Sequence, residues 1–97
     1  MKKTTFYSMV REEGQNIAKQ QSGYTDGTFN YYKAGSIWHV IHPINGLSIC
    51  YGSTRKAAAE KAHAPDMLAR IAAAVERQQD AAARFTAAVK KAEEAAA

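Results

Sequence analysis

The chain has 97 residues, a net charge of +4 and one cysteine, Cys50. This length suits a single domain, and a lone thiol forms no internal disulfide and suits a reducing compartment. No stretch approaches the ~20 apolar residues of a membrane span or the apolar core of a signal peptide, so the expectation is a cytoplasmic protein; a positive net charge excludes an acidic mimic of DNA.

Residues 1–22 carry two readings. Phe6, Met9, Val10 and Ile17 fall at helical spacing, which predicts a helix over about 6–20. Thr4-Thr5-Phe6-Tyr7 has equally good strand composition, and Gly14 interrupts the helical pattern. Ser22 to Gly27 is a turn-rich connector ending in Asp26-Gly27.

Three strands are expected next. Thr28 to Lys33 has strand composition, Ser36 to His42 follows, and Leu47 to Tyr51 returns after Asn45-Gly46, a pair suited to a tight turn. A two-residue loop there would put Trp38, Val40, His42 and Ile44 on one face with Leu47, Ile49 and Tyr51, and would set Cys50 opposite Ile41. A bulge at Gly46 would instead join Ile37, His39 and Ile41 to Leu47, Ile49 and Tyr51. The first register collects the larger apolar set and is preferred.

Gly52 ends the sheet, and Ser53 or Thr54 caps a short helix over about 54–63. Pro65 opens a second helix, expected to run unbroken over 66–95, about 45 Å long. Alanine supplies 20 residues of the chain, 18 of them after Lys56, while leucine occurs only at Leu47 and Leu68. The core is therefore modest, and a partner would add burial. The whole is an α+β domain: a three-stranded antiparallel meander over 28–51, a short helix and a long C-terminal helix.

Two regularities mark the long helix. Leu68, Ile71, Val75, Gln78, Ala82, Phe85, Val89 and Ala92 form a heptad seam, suited to a partner helix, a homodimer or the chain's own sheet. Arg70, Arg77, Arg84 and Lys91 recur every seven residues as a basic stripe, part-neutralised by Asp66–Arg70 and Asp80–Arg84 pairs. Such a stripe fits nucleic acid or an acidic protein groove, or is simply a solvated face.

Aromatic residues beside cations are the other candidate. Tyr24 and the outward member of the Tyr31-Tyr32 pair, with Lys33, Arg55 and Lys56, are candidate contacts to a partner; Trp38 and Tyr51 read as core. His39 and His42, an odd number of residues apart on a strand, face opposite ways, and no metal-ligand spacing exists. No phosphate loop or nucleophile elbow is present, and Cys50 reads as an ordinary small core residue. Neither a cofactor, a metal nor a catalytic function is expected.

Trp38-x-Val40, Asn45-Gly46-Leu47 and Gly52-Ser-Thr54-Arg55-Lys56-Ala57 with Ala62 form a hairpin–helix pattern. Over residues 28–63 it resembles the arm-site DNA-binding module of tyrosine recombinases and related AP2-type domains. It also resembles small phage and mobile-element accessory proteins, some anti-CRISPR proteins among them. The first likeness implies a sheet that enters a DNA groove; yet residues 36–51 contain no Lys or Arg, which argues against base readout by this hairpin. The second implies a non-enzymatic inhibitor that occludes a host protein or a nucleoprotein complex such as a CRISPR effector. A nucleic-acid-binding accessory protein is the alternative.

Overall fold

A computed structural model describes residues 1–96. Two long strands come first, β1 (Lys2–Glu12) and β2 (Gln15–Thr25), joined by a two-residue turn. Glu13 and Gly14 both take positive φ, 52° and 78°, which is the geometry a two-residue hairpin loop demands. Eleven residue pairs run from Lys2–Thr25 to Glu12–Gln15. The helix expected over 6–20 is thus a hairpin. Threonines and aromatics prefer a pleated surface to a helix, and Gly14, read there as an interruption, is the turn.

Three shorter strands follow: β3 (Asn30–Ala34), β4 (Ile37–Ile41) and β5 (Ser48–Gly52). The sheet is an antiparallel meander of five strands in chain order, not three. Edge strand β1 also meets the β4–β5 loop, since Met9 N–H donates to Gly46 C=O at 2.8 Å.

The β4–β5 connection corrects the expected register. His42 N–H donates to Leu47 C=O and Gly46 N–H to His42 C=O, both at 2.9 Å. The loop is therefore Pro43 to Gly46, four residues rather than two. Within it His42 Nδ1 accepts from Ile44 N–H and Asn45 Oδ1 from Leu47 N–H. Val40 pairs with Cys50 but Ile41 with Ser48, which leaves Ile49 as a bulge. Val40 and Cys50 consequently face the helices, while His39 and Tyr51 share the opposite face. Cys50 lies opposite Val40 and not Ile41.

Helix α1 (Arg55–Ala62) begins where Thr54 Oγ1 accepts from Ala57 N–H at 3.0 Å, the expected cap. Its alanines bring it close to the sheet. Ala58 and Ala62 are fully buried with Phe29, Tyr31, Val40 and Cys50, and Trp38, Ile49, Met67 and Ile71 flank that core.

The expected single long helix is two. α2 (Pro65–Arg77) stops at Gln78, whose backbone leaves helical space (φ −115°, ψ 53°), and α3 (Gln79–Ala96) resumes in a new direction. A straight helix of about 45 Å would overrun a molecule whose longest dimension is 37 Å. Bending lets α3 pack along β2 and bury Ala81 and Phe85. The heptad seam is cut at Gln78, and its largest knob, Phe85, is spent inside the fold. Phe85 lies over Gly46, where a Cβ would stand 2.3 Å from the ring and φ is +69°. Ser8, Ala18 and Ile41 are also buried.

Candidate functional site

One corner of the sheet gathers aromatic rings and cations. In the ladder Lys3 stands opposite Tyr24, Tyr24 opposite Tyr31, and Lys33 opposite Trp38. Residues directly opposite share a face, so Lys3, Tyr24, Lys33 and Trp38 all point to the side on which α1 lies. Arg55, the first residue of α1, reaches back over this surface. Its guanidinium carbon sits 3.9 Å above the Tyr24 ring and 5.7 Å from Trp38. Tyr24 and Trp38 are themselves 6.1 Å apart and tilted at 51°. Lys3 and Lys33 are exposed beside this half-buried group, and Lys56 is exposed next to Arg55 at the start of α1. Arg55 lies over ring quadrupoles and makes no ion pair among the described residues.

The sheet also carries the protein's charge. The five strands hold five basic residues (Lys2, Lys3, Arg11, Lys19 and Lys33) and one acid, Glu12. The rest of the chain balances eight basic residues against eight acidic ones. The whole +4 therefore resides on β1–β5, where a half-by-half count of the sequence finds only an even spread.

The opposite face bears a different aromatic row. Phe6, Tyr32, His39 and Tyr51 run across it: Phe6 and Tyr32 are 6.1 Å apart, Tyr32 and His39 stack at 5.0 Å and 11°, and His39 meets Tyr51 edge-on at 4.8 Å. Gly23 lies between Phe6 and Tyr32; a Cβ there would come 3.2 Å from the Phe6 ring and collide with Tyr31 C=O. Only Tyr32 and His39 stack face to face, and Tyr51 stays exposed rather than joining the core. Burial lowers the pKa of His39 below the ordinary histidine value.

A third cluster ties the sheet to α1. Asp26 Oδ1 accepts from the N–H groups of Thr28 and Phe29 at 2.9 and 2.8 Å. Asp26 Oδ2 accepts from Tyr31 Oη at 2.5 Å and stands 2.6 Å from His63 Nε2. Burial opposes ionisation of Asp26, yet the donors, Phe29 N–H first, outweigh it and hold its carboxyl well below the usual range. Burial and the Asp26 carboxylate push the Tyr31 phenol up. Tyr31 has no exposure at all, so this carboxylate–histidine pair aims at no reachable nucleophile and acts as a tether. Burial likewise raises Cys50, partly offset by Lys61.

Of the residues singled out in the sequence, the fold brings Tyr24, Lys33 and Arg55 together, keeps Lys56 beside Arg55 on α1, and sends Tyr32 to the other face. The stripe of Arg70, Arg77, Arg84 and Lys91 does not survive as one line, because the bend at Gln78 separates its halves. Arg84 pairs with Asp80 as expected. The Asp66–Arg70 pair does not form; Arg70 lines a groove beside the β4–β5 loop. Lys91 is exposed on α3. Sequence reasoning missed Lys3, whose place at the corner depends on the β1–β2 hairpin, and treated Trp38 as core alone. Among the described residues no cluster of three or more His, Cys, Asp or Glu side chains could hold a metal, and no helix is long and apolar enough to cross a membrane. Comparison with protein-family models, with curated proteins and with solved structures finds no match.

Proposed function

We propose that this protein is a non-enzymatic binding protein that engages single-stranded nucleic acid through the corner of Lys3, Tyr24, Lys33, Trp38, Arg55 and Lys56. The observation that carries this reading is Arg55 lying 3.9 Å over Tyr24 with Trp38 beside it, on a sheet that holds the entire net charge. Rings that stack bases and cations that track phosphates are what sequence-tolerant single-strand binding requires. Lys3 and Lys33 are two strands and two residues apart, roughly 12 Å, a span that bridges phosphates about two nucleotide steps apart on an extended strand. A cytoplasmic setting suits the lone buried thiol.

Where that strand belongs to a host nucleoprotein machine, the same corner would cover it. That is how a small phage-type inhibitor of a CRISPR effector, the class suggested by the hairpin–helix unit, would act. A tagged pull-down from host lysate, with and without nuclease, separates this from free-strand binding.

The direct test is a titration of the protein with a labelled single-stranded 12-mer at several salt concentrations. Four phosphate contacts predict a log–log salt slope of about −3. Trp38 is the only tryptophan, so base contact also quenches intrinsic fluorescence. A flat salt response with unchanged emission would sink the reading.

A further inference from the structure

The α2 helix leaves its apolar face only partly covered: Met67 and Ile71 rest half-buried against the core, and Val75 is half-buried too. None of its 13 residues is buried, and Leu68 is 40 % exposed. Between α2 and the β4–β5 loop lies a groove of about 380 Å³, within the size range of small-molecule sites. Ile49, Met67, Ile71 and Val75 form its apolar wall. The polar groups along it are Arg70, His42, Asn45, Ser48 and Gln78, and no lining residue is acidic.

Each of those polar groups can donate a hydrogen bond to a ligand. Arg70 makes no ion pair among the described residues. Asn45 spends its carbonyl oxygen on Leu47 N–H, which leaves its amide N–H groups as donors. His42 Nδ1 accepts from Ile44 N–H at 3.2 Å, so the neutral ring carries its hydrogen on Nε2. Burial favours that neutral form. Ser48 and Gln78 add a hydroxyl and an amide. A cation and four neutral groups able to donate thus line an apolar cleft whose lining holds no carboxylate.

We propose that this groove is a binding site for a small amphiphile with an apolar body and a single carboxylate, its chain against Ile49, Met67, Ile71 and Val75 and its head at Arg70. The site is separate from the cationic corner and does not depend on its function. Charge-assisted hydrogen bonding selects the acid, and the apolar wall supplies the non-directional part of the binding.

The test is an amide NMR titration of the full chain with decanoate below its micelle concentration, and with decyltrimethylammonium as the charge-reversed control. Saturable shifts at Asn45, Ile49, Ile71 and Ala74 are expected, with little response to the cation. Arg70→Gln, checked for an unchanged spectrum elsewhere, should weaken decanoate about tenfold, the loss of one charge-assisted contact. Equal binding of the two amphiphiles, scattered non-saturating shifts, or an unaltered affinity in Arg70→Gln would overturn the proposal. So would shifts at these amides on raising protein concentration alone, which would assign the groove to a second copy of the chain.

Discussion

Asp26 and His63, 37 positions apart in the chain, meet at 2.6 Å between Oδ2 and Nε2. One belongs to the β2–β3 turn and the other caps the end of α1, so this contact closes the helix onto the sheet. The Asp26 side chain is only 18 % exposed, and its other partners are backbone N–H groups and the buried Tyr31 hydroxyl. Asp26→Ala strands that hydroxyl without an acceptor and should cost about 2–3 kcal/mol in urea unfolding. The carboxyl is more acidic folded than unfolded, so its contribution is complete above an unfolded value near 3.8 and is lost as pH falls below it. Asp26→Asn should flatten stability between pH 4 and 2 relative to wild type; an equally steep acid transition in both would show that Asp26 does not set it.

Phe85 and Gly46 give a second prediction. Phe85→Ala should destabilise by about 3 kcal/mol, as for other buried aromatics, and should free α3 from β2, read as faster amide exchange in both elements. Gly46→Ala should reproduce the loss, because its Cβ would enter the ring and its φ is positive. A well-folded Phe85→Asp monomer, the outcome expected were Phe85 a dimer knob, would contradict this packing.

The helical half of the chain was legible where a local rule decided it: Thr54 capped α1 and Pro65 opened α2 as their chemistry requires. Gln78 was not, since nothing local ends a helix there; the bend follows from long-range burial of Ala81 and Phe85. Over residues 1–22 the apolar set satisfied helical spacing by coincidence, and the deciding signal was the pair Glu13-Gly14, a weaker turn former than Asn-Gly. At Asn45-Gly46 the strong signal misled, because Pro43 and the Asn45 side chain built a wider loop. Tyr24, Lys33, Arg55 and Lys56 could be named from composition, but that they share one corner depends on strand register.

Charge reversal on the sheet should act on binding and not on folding. Lys3 and Lys33 are exposed, so Lys3→Glu with Lys33→Glu should leave the unfolding midpoint within about 0.5 kcal/mol of wild type. The salt slope for a single strand should fall by about 0.7 for each contact removed. Arg84→Glu, on a helix remote from the corner in the chain and already paired with Asp80, is the control. A control that weakened binding as much as the double variant would move the interface to α3.

His39 offers a test of the aromatic row. Its ring stacks on Tyr32 and meets Tyr51 edge-on, and burial holds its pKa below the ordinary 6.5. On acidification the unfolded chain therefore takes up this proton before the folded one does. Stability owed to the neutral ring is full above pH 6.5 and declines as pH drops through that value. His39→Phe keeps an aromatic ring between Tyr32 and Tyr51 and removes the titration. Unfolding free energy measured from pH 7.5 to 5 should fall less steeply in the variant, while the two proteins stay close at the upper end. His42, also held neutral by burial, remains in both and leaves a residual slope. Parallel curves would mean that His39 accepts its proton without cost, and that the row is looser in solution than its 5.0 Å stack.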